Sequence, residues 1–258
     1  MLTSIRGFTA TSAIAATLLF AAPAMAQTVL NPADQVDEGS SSGLSVSANT
    51  TLASEYRFRG VDLSGGEFAV QGGVDVAHDS GFYVGTWASS LDEQTVGYGS
   101  TELDVYGGWS GDISDGLAAD VGVIGYLYPD AGPGDFDYIE VYGSLGYTIG
   151  PAETTIGVAY APEQDSLGGD DNFYVYGDIG VGIPNTPITV TGHLGYTDGF
   201  LTFTNDGKAF DWSIGAEAAI AGTPLTVGAA YVGAEGDIPA GAYDFTDDAF
   251  VVTVGASF

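Results

Sequence analysis

Phe250-Val251-Val252-Thr253-Val254-Gly255-Ala256-Ser257-Phe258 ends the chain and alternates strictly. Phe250, Val252, Val254, Ala256 and Phe258 share one face, and Val251, Thr253, Gly255 and Ser257 share the other. A two-residue period with one apolar face is a β-strand signal. The same period recurs along almost the whole chain beyond the N-terminus, with smaller and more polar residues opposite the apolar ones. Aromatic alternation alone also suits a soluble β-sandwich, so the decision rests on the connections and on the terminal Phe258. Together they predict an all-β, antiparallel up-and-down transmembrane barrel, apolar towards lipid and polar towards a lumen.

The connections fall into two alternating classes. Asp79-Ser80-Gly81, Asp112 to Gly116, Ile149 to Ala152, Pro184 to Pro187 and Ala221 to Pro224 are short and rich in the Gly, Pro, Asn and Asp of tight turns. Between them lie longer stretches, Gly60 to Gly66, Ser90 to Ser100, Pro129 to Asp135, Pro162 to Asp171, Asp198 to Lys208 and Gly233 to Asp247. Segments between these breaks number about twelve, an even count that leaves both ends on one side, with short periplasmic turns and long outer loops.

The N-terminus reads as an export signal. Arg6 gives a positive start, Ala13 to Ala22 is apolar, and Ala24-Met25-Ala26 offers a small-residue cleavage site before Gln27. The apolar run is shorter than the roughly 20 residues of a spanning helix. Residues 1–26 are therefore assigned as a signal peptide, 27–43 as a flexible Ser/Gly/acid-rich lead-in, and 44–258 as the barrel.

Composition agrees with an exported β protein. The chain has 40 Gly, 15 Tyr and 13 Phe, charged residues make up only 15%, and no Cys is present, so no disulfide holds it. Acidic residues number 34 against four basic ones, and one of the four, Arg6, lies in the signal. Such a field repels nucleic acid.

The first strand sets the facing. Leu44, Val46, Ala48, Thr50, Leu52, Tyr56 and Phe58 fall towards lipid, and Ser45, Ser47, Asn49, Thr51, Glu55, Arg57 and Arg59 towards the lumen. The same parity puts Asp75, Asp104, Asp120, Glu140, Asp178 and Glu217 inside, with Val74, Val105, Val121, Val123, Ile139, Val141, Ile179 and Ile214 outside. Aromatic girdles follow, with Tyr56, Phe58, Tyr160, Tyr196, Phe210, Trp212 and Tyr231 near the long loops and Phe82, Trp109, Tyr147 and Phe258 near the short turns. A weak repeat, Asp104-Val105-Tyr106-Gly107, Glu140-Val141-Tyr142-Gly143 and Tyr174-Val175-Tyr176-Gly177, recurs about one hairpin apart and turns tyrosines and carboxylates inward. Those residues either fill the interior or line a polar path.

Tyr56-Arg57-Phe58-Arg59-Gly60-Val61-Asp62-Leu63-Ser64, Ala69-Val70-Gln71-Gly72-Gly73 and Ser80-Gly81-Phe82-Tyr83-Val84-Gly85-Thr86-Trp87-Ala88-Ser89 resemble the opening of the TorF family of porin-type proteins, also called the Gcw_chp family. Glu102 to Trp109 and Tyr138 to Gly143 fit the same pattern. The resemblance covers Leu44 to Tyr196 well and the last third loosely, and it implies an outer-membrane barrel of porin type. One position departs from the usual end of outer-membrane proteins, since Ala256 stands where a second aromatic precedes the terminal Phe.

Rival chemistries find less support. The chain has only two histidines, His78 at a short-turn end and His193 in mid-strand among Thr189, Thr191 and Thr197, and neither sits at the outer loops where surface hydrolases work. Oxygen ligands gather in Asp130, Asp135 and Asp137, in Asp165, Asp170 and Asp171, and in Asp244, Asp247 and Asp248, without EF-hand spacing. Solvated acidic loops are the favoured account, with divalent cations bridging the loops to lipopolysaccharide as the alternative, and adhesion would need longer loops. No catalytic residue, metal site or cofactor is expected.

The expected activity is passive diffusion of small solutes or ions across the outer membrane of a Gram-negative cell. Predicted pore-lining residues are Glu55, Arg57, Arg59, Asp75, Asp104, Tyr106, Asp120, Glu140, Tyr142, Tyr176, Asp178 and Glu217, whose negative balance favours cations. Arg57 and Arg59 sit together at the outer end of the first strand and either offset that balance there or pair with neighbouring acids such as Glu55 and Asp75. Expected partners are outer-membrane lipid and lipopolysaccharide, and the barrel-assembly machinery through Phe258; the oligomeric state stays open.

Overall fold

The computed structural model describes residues 43–134, 136–202, 204–236 and 245–258. The predicted signal peptide and all but the last residue of the lead-in lie outside the described residues, as do Asp135 and Asp244. In chain order the strands are β1 (Leu44–Ala53), β2 (Arg57–Phe58), β3 (Val61–Asp62), β4 (Ala69–His78), β5 (Phe82–Ser90), β6 (Thr101–Ser114), β7 (Leu117–Leu127), β8 (Tyr138–Ile149), β9 (Ala152–Gln164), β10 (Asp170–Gly182), β11 (Ile188–Gly199), β12 (Lys208–Ala219), β13 (Leu225–Gly236) and β14 (Ala249–Ser257).

All of these except β2 and β3 form one closed antiparallel barrel of twelve strands, running β1-β4-β5 and so on to β14 and back to β1. Closure matters because an open edge in hydrocarbon would leave backbone N–H and C=O groups without partners. The last strand completes it through pairs such as Asn49 with Ser257 and Leu52 with Val254. Phe258 N–H donates to the Ala48 carbonyl at 2.9 Å, and Ala48 N–H donates back to Phe258 at 3.0 Å.

The alternation of short and long connections is as the sequence predicts. Tight turns join β4 to β5, β6 to β7, β8 to β9, β10 to β11 and β12 to β13, while the opposite end carries a helical turn α1 (Glu93–Val96) and 3-10 turns at Asp165–Leu167 and Phe200–Thr202. Parity also holds along the wall. Ile156, Leu194 and Ile214 project outward with 60 to 68% exposure, and Val74, Val105, Val121, Val123, Ile139, Val141 and Ile179 join them in an apolar belt. Phe82, Tyr147 and Phe258 are exposed at the short-turn end, and Tyr160, Phe210 and Tyr231 at the long-loop end. An exposed belt of this extent on a closed barrel is the surface of a membrane-spanning protein.

The tyrosine repeat has a packing cause. Tyr106, Tyr142 and Tyr176 stand directly opposite Gly85, Gly122 and Gly157 on the preceding strands. A Cβ built on Gly157 would come within 2.1 Å of the Tyr176 hydroxyl oxygen, and one on Gly122 within 2.4 Å of that of Tyr142. Each ring therefore lies flat across a glycine, a close approach that only a residue without a side chain permits.

The two faces should respond differently to charge. Val123→Arg puts a cation into lipid and should destabilise the barrel by about 2–4 kcal/mol. Ser47→Arg, which faces the lumen directly across from Asp75, should cost much less. Bilayer refolding titrations of the two variants measure the difference.

Candidate functional site: an inward hairpin in a carboxylate-lined lumen

The largest departure from the sequence reading is at Glu55 to Arg59. These residues do not extend β1, which ends at Ala53; its last tie to the wall is Ser54, whose N–H donates to Val252 at 2.8 Å and whose hydroxyl accepts from Val252 N–H at 2.9 Å. The chain then folds into the barrel as the two-stranded ribbon β2-β3, with Arg57 opposite Asp62 and Phe58 opposite Val61. Arg59 and Gly60 form its two-residue turn with φ of 50° and 78°, the left-handed pair that a tight hairpin requires. Tyr56 and Phe58, assigned to lipid by parity, are instead buried inside. Parity fails here because the turn reverses the chain within four residues, so no face of the ribbon meets lipid.

The ribbon is tied at both ends and at its tip. Tyr56 N–H donates to Ser64 Oγ at 2.8 Å, Ser64 N–H to Asp62 Oδ1 at 2.9 Å, and Leu63 N–H to the Tyr56 carbonyl at 2.9 Å. Asp62 N–H donates to the Phe245 carbonyl at 2.8 Å. Arg57 donates to the carbonyls of Gly60 and Phe245, both at 3.1 Å, and forms an ion pair with Glu55. The tip lies close against the wall, where a Cβ on Gly60 would lie 2.6 Å from that of Ala234 on β13 and 3.0 Å from that of Asp211 on β12.

Arg59 makes the central contact. Its Nη2 donates to Glu140 Oε2 on β8 at 2.7 Å, and both side chains are almost wholly buried. The guanidinium lies 4.7 Å from the centroid of the Phe58 ring and 4.2 Å from that of Tyr174 on β10. Arg59 thus pairs with Glu140, not with Asp75 as the sequence suggests; Asp75 instead accepts from the Tyr106 hydroxyl at 2.6 Å.

Tyrosine hydroxyls supply most of the donors that the lumen acids need. Tyr83 donates to Asp120 at 2.7 Å and also meets the Tyr142 hydroxyl. Glu102 accepts from Tyr56 at 2.7 Å and Tyr128 at 3.1 Å, and Glu140 accepts from Tyr126 at 3.1 Å. His193 bridges two acids, with Nδ1 at 2.6 Å from Asp178 and Nε2 at 2.7 Å from Asp211; Tyr174 adds contacts of 2.9 Å to Nε2 and 3.1 Å to Asp211. With a carboxylate at each ring nitrogen, a doubly protonated imidazole fits this geometry. Asp104 and Glu217 are buried on the same inner face, and both oxygens of Asp104 are without a hydrogen-bond partner. Tyr176 is buried and stacks on Tyr174 at 5.6 Å.

Glu102, Asp211, Tyr174 and Tyr56 also belong to this site. The first two obey the parity rule already applied to Asp104, and Tyr174 occupies the place in its repeat that a carboxylate holds in the other two. Tyr56 carried no such signal. In the outer loops, Asp130 accepts from the Ser100 hydroxyl and, at 3.1 Å, from its N–H, which holds that carboxyl below the ordinary range. Asp137, Asp171 and Asp248 accept from Tyr128 N–H and from the Tyr160 and Tyr231 hydroxyls. No group of three or more His, Asp or Glu side chains among the described residues is arranged to hold a metal ion.

Removing one partner of a buried pair leaves the other charge without compensation, at about 3–5 kcal/mol. Arg59→Ala and Glu140→Gln should each lower stability, and the double variant should lose less than the sum of the two. Denaturant titrations in detergent measure that coupling.

Two solved structures share the architecture. The porin NanC aligns at a TM-score of 0.55 and 12% identity, covering 83% of this chain and 99% of its own. The porin KdgM, solved in complex with disordered oligogalacturonate, aligns at 0.54 and 6% identity, covering 83% of this chain and 97% of its own. Identity this low establishes a common fold, a porin-like barrel, and no shared ligand. No curated protein matches the sequence. The family described as "Bacterial protein of unknown function (Gcw_chp)" matches residues 37–258, and the chain belongs to that family.

Proposed function

We propose that the protein is a narrow, cation-preferring diffusion channel of the Gram-negative outer membrane, reached by a cleaved signal peptide and set among lipid and lipopolysaccharide. The observation that carries this reading is the charge of the inner face. Asp75, Glu102, Asp104, Asp120, Glu140, Asp178, Asp211 and Glu217 stand on the wall strands, while the nearby guanidinium groups, Arg57 and Arg59, both belong to the inward ribbon. Carboxylates along a confined path raise the local concentration of cations and repel anions. The porin-like fold supports a transport role in preference to catalysis, and Asp211 sits on the His193 ring nitrogen that a base would use.

The ribbon occupies part of the lumen, so it limits the path. Arg59 and Arg57 supply part of the contacts that hold it, and loosening either should widen the route for solutes. Phe258 would present the terminal aromatic to the assembly machinery.

Reversal potentials across a salt gradient should give cation preference, strongest at low salt where screening is least. Asp104→Asn combined with Glu140→Gln should weaken that preference, and Arg57→Ala or Arg59→Ala should raise both conductance and preference. Anion preference in the parent protein would defeat the reading. The mature protein should also fractionate with the outer membrane and shift in mobility between unheated and heated detergent gels; recovery as a soluble periplasmic monomer is the contrary outcome.

A further inference from the structure

Three carboxylates, Glu102, Asp104 and Glu140, lie on the inner faces of β6 and β8, with β7 between them. Asp104 is within electrostatic reach of both others. Only one of the three has a cationic partner. Tyr56 and Tyr128 serve Glu102, and Arg59 and Tyr126 share a single oxygen of Glu140. Glu140 Oε1 and both oxygens of Asp104 are buried with no hydrogen-bond partner, and the two side chains are fully buried. Acceptors of this kind call for a donor-rich cation.

The character of that cation follows from Arg59. Its guanidinium lies within cation–π distance of the Phe58 and Tyr174 rings and donates to Glu140. Aromatic faces beside a carboxylate suit a planar, weakly hydrated organic cation better than a strongly hydrated metal ion, and no metal-holding cluster occurs among the described residues. Arg59 reaches this place on a short ribbon that is itself fastened by replaceable polar contacts.

We propose that Glu140 and Asp104, with the Tyr174 ring, form a recognition site for solutes bearing a guanidinium group, and that Arg59 fills it as a tethered stand-in. A solute head group that takes Glu140 from Arg59 removes one of the contacts that hold the ribbon tip, so the permeating molecule loosens its own barrier. This assigns a solute class to the channel and in that respect rests on the channel reading.

The test uses the full mature chain folded in detergent, with unheated gel mobility as the check on folding. Agmatine titrated calorimetrically should bind Arg59→Ala at least about tenfold more tightly than the parent, because no tethered group competes. Adding Glu140→Gln to that variant should abolish the binding. In planar bilayers, guanidinium ion should bring the raised conductance of Arg59→Ala back towards the parent level, and choline at equal concentration should not.

Arg59→Lys keeps the charge but loses the planar fork. It serves if the alanine variant does not fold, and agmatine should bind it more tightly than the parent. No agmatine binding to either variant, binding unaffected by Glu140→Gln, or calcium binding in place of agmatine would overturn the assignment. Current without agmatine binding would refute the recognition site and leave the channel standing. Agmatine binding without current would do the reverse.

Discussion

Carboxylates buried where few cations can reach them set the terms for the rest of this structure. An ionised acid taken out of water is costly unless charge or hydrogen bonds replace its hydration. Beyond Arg6, which lies in the predicted signal, the chain has only Arg57, Arg59 and Lys208 to offer. Lys208 stands on the rim, half exposed and 3.8 Å from Asp198. The two arginines are thus the cations available inside, together with His193. Tyrosine makes up the difference by donating a hydroxyl proton to Asp75, Glu102, Asp120, Glu140 and Asp211. A neutral donor satisfies the hydrogen bond without adding a positive charge to the inner face.

That solution links wall and interior. Tyr106, Tyr142 and Tyr176 reach inward only because the glycine opposite each leaves room for the ring. The glycines weaken the strands they sit in, since they add backbone entropy and bring no side chain to pack. The ring that covers each one restores contact across the gap. Tyr106 thereby both packs the wall and donates to Asp75.

The inward ribbon is the complementary half of the arrangement. It carries two arginines to the acidic wall and inserts Tyr56, Phe58, Val61 and Leu63 as a small apolar core within a polar interior. Arg59 accepts a left-handed backbone, uncommon for a residue with a side chain, at the point where its guanidinium meets Glu140. Its wall contacts are made with β8, β10, β12 and β13. Any motion of the ribbon must therefore break contacts with several strands at once, the Arg59–Glu140 pair among them.

The sequence determined the wall. Strict alternation in segments such as Phe250 to Phe258, and the regular change from tight Gly/Pro turns to longer loops, specify twelve antiparallel strands and the facing of Val123, Ile179, Asp104 and Glu140, because side-chain direction in a strand depends only on parity. Glu102 and Asp211 were legible by the same rule. Where the backbone leaves the sheet, parity carries no information. Tyr56-Arg57-Phe58-Arg59 alternates as well as any strand, and its two basic residues were its only local distinction. Whether those arginines pair with neighbours or with a distant acid depends on where the short hairpin Arg57–Asp62 points, and that is set by the curvature of the closed barrel, which brings β8 and β10 within reach of a ribbon rooted beside β1. The tertiary structure alone decided the Arg59–Glu140 contact, because a separation of 81 positions along the chain leaves no local trace of their meeting.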